Sequence, residues 1–216
     1  MMGFIKNIAF LGSSETKKGE RLYDTAFKVA KLLASKGYVI VNGGGPGVMD
    51  ASTQGAEKVN GETLSITFYP QSASGFEGRY PKNITDREIK TGNYIERTFK
   101  LLEHGDVYII FKGGTGTFSE FSMAWCLARL YYGIHKPFIL YGKFWEEIIR
   151  YFKNNMYVRG EELKVFKIVD KEEEVLAAID GFEKEFSTRL KRFIVKKERA
   201  FTAPRLGYRG PEYRIE

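Results

Sequence analysis

Cysteine and histidine are scarce in this chain, which has one cysteine and two histidines among 216 residues. Cys126 cannot form a disulfide within the chain, and its helical pattern beside Trp125 and Leu127 predicts a buried thiol. His104 and His135 cannot complete a zinc site with one cysteine. We therefore expect no metal and no cofactor, and the composition argues against metal catalysis and against a cysteine protease.

Long hydrophobic runs are absent as well. No apolar run approaches the roughly 18–20 residues of a membrane span, and the first residues lack the pattern of a signal peptide. From these absences and the single thiol we expect a reduced, cytoplasmic protein without membrane contact.

Most of the net charge of +7 lies near the C-terminus. Residues 187–216 contain nine Lys or Arg and three Glu, a net charge of +6, and the preceding residues are nearly neutral as a group. We predict one domain over residues 1–186 and a basic C-terminal extension over residues 187–216. The extension mixes basic and aromatic residues, and a solvated or partner-docked segment is favoured over nucleic-acid binding.

Apolar runs typical of buried strands alternate with helical periodicity along the first 186 residues. Predicted strands over residues 6–11, 38–41 and 107–111 are each followed by a predicted helix. This alternation predicts an α/β fold with a doubly wound, mostly parallel, Rossmann-like sheet of about seven strands. Residues 70–82 are rich in serine, glycine and proline, and they predict a surface loop over the site.

A glycine-rich turn follows the predicted strand that ends at Phe111 and precedes a helical pattern that begins at Phe118. Such a turn leaves backbone N–H groups free to bind an anion, and the helix N-terminus adds about half a positive charge. We therefore expect a phosphate or nucleotide site at Lys112, Gly113, Gly114, Thr115, Gly116 and Thr117.

Glu120 lies one turn inside this predicted helix, and it has two possible roles. A carboxylate beside a phosphate site suggests nucleotide chemistry. Residues 117–120 also fit a capping box, in which the glutamate bonds the backbone at the helix start. The local sequence leaves both roles open.

A second glycine-rich turn follows the predicted strand over residues 38–41 and leads into a helix from Val48. Consecutive glycines allow positive φ angles and close approach of the backbone to a ligand. Both turns should lie at the carboxyl edge of one parallel sheet, where ligands bind in open α/β folds. The candidate residues of this turn are Gly43, Gly44, Gly45, Gly47 and Met49, with Ser13 after the first strand as a further possibility.

The helix predicted over residues 93–104 has an apolar stripe formed by Ile95, Phe99 and Leu102. Arg97 is about 200° around the helix from Ile95 and Phe99, at 100° per residue, so it should point away from that stripe. The segment alone predicts a core-facing stripe and a solvated arginine.

The two motifs together resemble the Lonely Guy family of Rossmann-like nucleotide-binding proteins. Its GGGxxGxM pattern matches the turn from Gly43 to Met49, and its second pattern, an arginine followed by PGGxGTxxE, matches Arg97 and the turn ending at Glu120. Arg97 precedes Glu120 by 23 positions, as the family pattern requires. The resemblance covers roughly residues 5–180.

The resemblance implies a phosphoribohydrolase that cleaves the N-glycosidic bond of a nucleoside 5′-monophosphate, such as a cytokinin ribotide or AMP, to free base and ribose 5-phosphate. Arg97 and Glu120 would then be the catalytic pair, and the glycine-rich turns would bind the phosphorylated ligand. A carboxylate can stabilise an oxocarbenium-like transition state, and an arginine suits phosphate because its planar fork is always charged. The matched spacing favours an enzyme.

Two departures from the family pattern keep a second function open. Lys112 stands where the motif has proline, and Thr98 replaces the lysine that usually follows the arginine. The alternative is a non-catalytic protein that binds or carries a nucleotide or a molybdenum-cofactor-like ligand. The resemblance also implies a homodimer or higher homo-oligomer, for which the aromatic residues 125–132 offer apolar area.

Overall fold

The computed structural model describes residues 3–69 and 79–202, with side chains through residue 188. Its strands are β1 (Asn7–Leu11), β2 (Val39–Asn42), β3 (Thr63–Phe68), β4 (Arg87–Thr91), β5 (Val107–Ile110), β6 (Phe138–Tyr141) and β7 (Phe166–Val169). Its α-helices are α1 (Arg21–Ala34), α2 (Val48–Glu57), α3 (Tyr94–His104), α4 (Thr115–Leu130), α5 (Phe144–Asn155) and α6 (Glu172–Thr202). A short 3₁₀ turn at Glu162–Lys164 precedes β7.

The seven described strands form one sheet in the order β4-β3-β2-β1-β5-β6-β7, and every neighbouring pair is parallel. Helices α1, α2 and α6 cover one face, and α3, α4 and α5 cover the other. The predicted doubly wound, Rossmann-like α/β fold of about seven strands is confirmed. The chain order reverses beside β1, because β2 lies on one side of it and β5 on the other.

The central strands are buried on both faces, which explains their continuous apolar runs. Ile8 and Phe10 of β1 face the α1–α2–α6 layer, whereas Ala9 and Leu11 face the α3–α4–α5 layer. Side chains on a strand alternate between the two faces of the sheet, so a strand covered on both sides needs apolar residues at every position. The central strands β1 and β5 are therefore packed between two hydrophobic clusters, one on each face of the sheet.

Helix α3 buries a different face from the one predicted. Ile95 is 64% exposed and Phe99 is 51% exposed, while Arg97, Thr98 and Leu101 are buried against the sheet. Apolar spacing locates a stripe but does not show whether that stripe faces the sheet or the surface. The core-facing stripe was wrong for Ile95 and Phe99 and right for Leu102, which is 3% exposed. The solvated arginine, which the segment alone predicts, was wrong.

Cys126 was also predicted wrongly, since its side chain is exposed. Helix α6 continues from Glu172 to Thr202, so the proposed domain boundary after residue 186 falls inside a helix. That boundary stays a prediction.

Residues 70–78 of the predicted surface loop and residues 203–216 of the extension lie outside the described residues. In the part of the chain that is described, no helix has the length and hydropathy to cross a bilayer.

Leu101 and Ile95 provide a matched test of the observed face of α3. Leu101→Ala should lower the free energy of unfolding by about 2–5 kcal/mol, because it leaves a cavity in a fully buried position. Ile95→Ala should change it by no more than about 0.5 kcal/mol, because that side chain is exposed. Urea denaturation of both variants measures the difference, and equal losses would contradict the assigned orientation.

Candidate functional site

A cleft of about 910 Å³ opens at the carboxyl ends of β1 and β5, where the chain order of the sheet reverses. Ligand pockets in proteins usually measure about 300–1,000 Å³, and open α/β sheets bind ligands at this position. The lining combines the loops after β1 and β5 with the buried side of α3. Its main members are residues 12–16, Met49, Tyr94, Arg97, residues 112–117 and Glu120.

The N-terminus of α4 forms one wall of the cleft. Helix α4 begins at Thr115, after an extended Gly114, and no described side chain caps it. The first backbone hydrogen bond of the helix runs from the N–H of Phe118 to the carbonyl oxygen of Gly114 at 3.0 Å. The N–H groups of Thr115, Gly116 and Thr117 precede this first donor, so no carbonyl within the helix accepts from them, and they can bind an anion.

The structure excludes the capping-box role of Glu120. The helix starts two residues before Thr117, so Glu120 is not at the position that a capping box requires. Its carboxylate instead accepts a hydrogen bond from Nη1 of Arg97 at 2.6 Å. This ion pair joins α3 to α4 at the floor of the cleft.

The Arg97–Glu120 pair is nearly shielded from water, with the two residues 6% and 5% exposed. The Arg97 guanidinium also lies 3.4 Å from the Ile66 carbonyl oxygen and 3.5 Å from the Met49 sulfur. Burial raises the pKa of Glu120, and the charge and hydrogen bond of Arg97 act in the opposite direction. Two charges this deeply buried are tolerated because each one compensates the other.

The glycine turn after β2 packs directly against the Arg97 guanidinium. A Cβ at Gly43 would overlap Nη2 of Arg97, so only glycine leaves room for the guanidinium. The backbone N–H of Gly44 donates to Oδ1 of Asn42 at 2.8 Å, and the Gly45 carbonyl accepts from Asn83 Nδ2 at 2.9 Å. The Gly44 N–H and the Gly45 carbonyl therefore already have hydrogen-bond partners within the protein. Of the predicted residues in this turn, Met49 reaches the cleft, and a ligand-binding role for the glycines stays a prediction.

Ser13 connects the loops around the cleft. Its N–H donates to the Lys112 carbonyl at 3.1 Å, and its carbonyl accepts from the Val48 N–H at 2.9 Å. Its hydroxyl accepts a hydrogen bond from the Glu15 N–H at 3.1 Å. A Cβ at Gly47, where φ is +70°, would overlap the Ser13 carbonyl oxygen. Ser13 therefore lines the cleft and also fixes the distance between the two glycine turns.

Tyr94 is a lining residue that the sequence interpretation missed. Its ring centre lies 5.7 Å from the Arg97 guanidinium carbon, and its hydroxyl faces Gly116, where a Cβ would stand 3.2 Å from it. Burial and the nearby Glu120 carboxylate raise the pKa of Tyr94. Its position one helical turn before Arg97 could have indicated it.

This fold and site define a Rossmann-like α/β protein with an uncapped helix start at the point where the strand order reverses. The chain belongs to the SLOG cluster4 family, whose family model matches residues 5–159. Membership of the wider SLOG superfamily therefore confirms the coarser part of the resemblance. The narrower Lonely Guy assignment stays a prediction.

Three individual proteins are similar to this chain. Over 138 residues, the chain is 29% identical to an uncharacterised protein of Archaeoglobus fulgidus, covering 64% of this chain and 85% of that protein. The solved structure of TM1055 is 27% identical, with a TM-score of 0.63 over 82% of this chain and 99% of that one. The molybdenum cofactor binding protein of Rippkaea orientalis is 24% identical, with a TM-score of 0.59 over 82% of this chain and 97% of that one.

A double-mutant cycle tests the buried pair. Arg97→Met or Glu120→Leu alone should destabilise the protein by about 3–5 kcal/mol, because each leaves an unpaired buried charge. The double variant should lose at least about 2 kcal/mol less than the sum of the two single losses. Urea denaturation of the four proteins provides the measurement.

The exposed pair of Arg87 and Glu62, 3.7 Å apart, serves as the control. Its coupling free energy should stay below about 1 kcal/mol, since both side chains are solvated. Equal coupling in the two cycles would show that the Arg97–Glu120 contact is not a buried pair in solution.

Proposed function

We propose that the protein binds a small phosphorylated ligand of the nucleotide class, either a nucleoside 5′-monophosphate or a molybdenum-cofactor-like molecule, and acts as a carrier or binding protein. The observation that carries this proposal is the uncapped start of α4, which opens into the cleft. The amides of residues 115–117 would hold the phosphate. We place this activity in the cytoplasm.

Lys112 strengthens the proposed phosphate site. It is exposed at the edge of the cleft, directly before the glycines, while its carbonyl is fixed by Ser13. An ammonium group binds phosphate as a point charge and complements the backbone donors of the helix start. The residue that departs from the family motif therefore adds positive charge where the ligand's negative charge would lie.

The state of Glu120 favours binding over hydrolysis. Stabilising an oxocarbenium-like transition state needs uncompensated negative charge near the sugar. Here the Glu120 carboxylate is paired with Arg97 at 2.6 Å, so much of its charge is already compensated. Binding requires no change in this pair, whereas hydrolysis would require the two side chains to separate. The Rippkaea orientalis protein is an example of a similar fold that is described by the ligand it binds.

Phosphoribohydrolase activity is the second candidate function. The observation in its favour is that Arg97 and Glu120 both line the same cleft as the α4 N-terminus. A bound phosphate could draw Arg97 away and leave Glu120 free to act on the ribose. The two candidates share a ligand class and differ only in whether the glycosidic bond is cleaved.

Calorimetry and product analysis separate these functions. Charge-assisted hydrogen bonds contribute about 1.5–3 kcal/mol each, so AMP or GMP should bind at least about tenfold more tightly than the matching nucleoside. Lys112→Met should weaken nucleotide binding, whereas the matched control Lys36→Met, on an exposed residue far from the cleft, should not. Chromatography should detect no free base or ribose 5-phosphate after prolonged incubation.

Equal affinity for nucleotide and nucleoside would contradict the phosphate site. Release of base and ribose 5-phosphate would establish the hydrolase instead. Glu120→Gln should then stop turnover, and its stability must be measured in parallel because the change weakens a buried ion pair.

The exposed side of α3 and α4 suggests a homodimer. Phe99, Tyr131 and Ile134 are exposed around an apolar groove of about 410 Å³. Apolar patches of this kind on a surface commonly mark protein interfaces. We propose that a second copy covers this face through a two-fold axis. Residues 125–132 were predicted to offer apolar area to a partner. Among them, Trp125 is partly buried and packs against the core, and its Nε1 donates to the Glu162 carbonyl oxygen at 2.8 Å.

Charge placed on this face should prevent the dimer. We expect a dimer for the unmodified protein at micromolar concentration and a monomer for the double variant Phe99→Asp/Ile134→Asp, measured by analytical ultracentrifugation. Tyr157→Asp is the control, because Tyr157 is fully exposed and lies outside the groove. A monomeric unmodified protein would remove the proposed interface.

A further inference from the structure

A second cleft of about 930 Å³ lies on the other side of the β1–α1 loop. It is bounded by α1, α2 and the segment around Tyr80, and its wall includes Tyr23, Phe27, Asp50 and Gln54. The two clefts share Ser14, Glu15, Thr16 and Glu20 as lining residues. A single loop therefore separates two openings at the same edge of the sheet.

The spacing of the strands that carry the two clefts suits one ligand. A Cβ at Gly113 would stand 3.0 Å from the Ser13 nitrogen, and a Cβ at Gly47 would overlap the Ser13 carbonyl oxygen. The loops after β5, β1 and β2 are thus in direct contact in that order. Two strand spacings separate the first from the third, about 10 Å. A molecule as long as a nucleotide can place its phosphate in one cleft and its ring in the other.

The two helix starts at these clefts present different groups to a ligand. At α4 the first amides are open, as described above. At α2 the Val48 amide is already bonded to Ser13, and Asp50 occupies the first turn. A carboxylate there repels phosphate and accepts hydrogen bonds from donors. Three exposed lysines, Lys17, Lys18 and Lys82, also line the second cleft, so the preference for a donor applies at Asp50 itself and not over the whole cleft. The orientation that matches the two helix starts places the anion at α4 and a donor-bearing group at Asp50.

Asp50 is held in position within the second cleft. Its Oδ2 accepts a hydrogen bond from the Tyr23 hydroxyl at 2.6 Å. Burial and the bond to Asp50 both raise the pKa of Tyr23, so the phenol stays protonated and donates. Phe27 and Tyr80 are partly exposed beside it and offer aromatic surface to a planar ring. The cleft thus places the Asp50 carboxylate, a hydrogen-bond acceptor, beside the aromatic side chains of Phe27 and Tyr80.

We propose that Asp50 binds the donor edge of the ligand's ring and selects a 2-amino-4-oxopyrimidine ring, as found in guanine and in pterins. In these rings the adjacent ring N–H and amino group can both donate to one carboxylate. Adenine instead places an acceptor nitrogen beside its amino group, which a carboxylate repels. This inference rests on the proposed phosphate site and deepens it by naming the base class.

Competition calorimetry on the full chain tests the inference. On the unmodified protein GMP should bind about tenfold more tightly than AMP, with IMP between them, because a good paired contact discriminates strongly between bases. Asp50→Asn should bring GMP to the affinity of AMP while inorganic phosphate still competes with both nucleotides. Glu57→Gln, an exposed carboxylate on the same helix outside both clefts, should leave the preference unchanged. A parallel titration with 6-hydroxymethylpterin phosphate distinguishes a pterin ligand from a guanine nucleotide.

Each outcome of these titrations decides whether Asp50 selects the ring of the ligand. Equal binding of GMP and AMP, with phosphate still competing, overturns the assignment of Asp50 and leaves the phosphate site standing. A guanine preference that persists in Asp50→Asn overturns it too. If neither nucleotides nor phosphate bind, the proposed function fails together with this inference. If Asp50→Asn does not fold, the order of GMP, IMP and AMP on the unmodified protein decides, and Tyr23→Phe should reduce the preference in part.

Discussion

The buried ion pair between Arg97 and Glu120 constrains much of the structure around the cleft. Neither charge can be left alone in this environment, since an unpaired buried ion costs several kcal/mol. The pair therefore fixes α3 against α4, turns Arg97 toward the sheet and makes glycine necessary at position 43. The exposure of Ile95 and Phe99 follows, because the helix cannot bury both faces.

The pair also affects the electrostatics of the first cleft. Because the charges of Arg97 and Glu120 compensate each other, the floor of this cleft is polar but nearly neutral, and the groups proposed to attract an anion are the α4 amides and Lys112. Across Ser13 lies the second cleft, where Asp50, held by the Tyr23 hydroxyl, provides a hydrogen-bond acceptor. A ligand with one anionic end and one donor-bearing end matches the α4 amides and Asp50.

Helices α3 and α4 connect the site to the surface. Their inner sides hold Arg97 and Glu120, and their outer sides carry the apolar groove around Phe99 and Ile134. Helix α3 thus buries Arg97 beside Leu101 and exposes two apolar side chains, Ile95 and Phe99. The same two helices therefore form both the floor of the first cleft and the groove proposed for a second copy.

The sequence by itself determined the sheet, its helices and the position of the α4 turn, because apolar periodicity and glycine spacing are local properties of the chain. Tertiary structure decided which side of α3 is buried, since that depends on a carboxylate 23 residues away. It also decided that the glycines near Gly43 support Arg97 and that Cys126 is exposed. Local patterns show which residues share a face of a helix, but only packing across the sheet determines what that face meets.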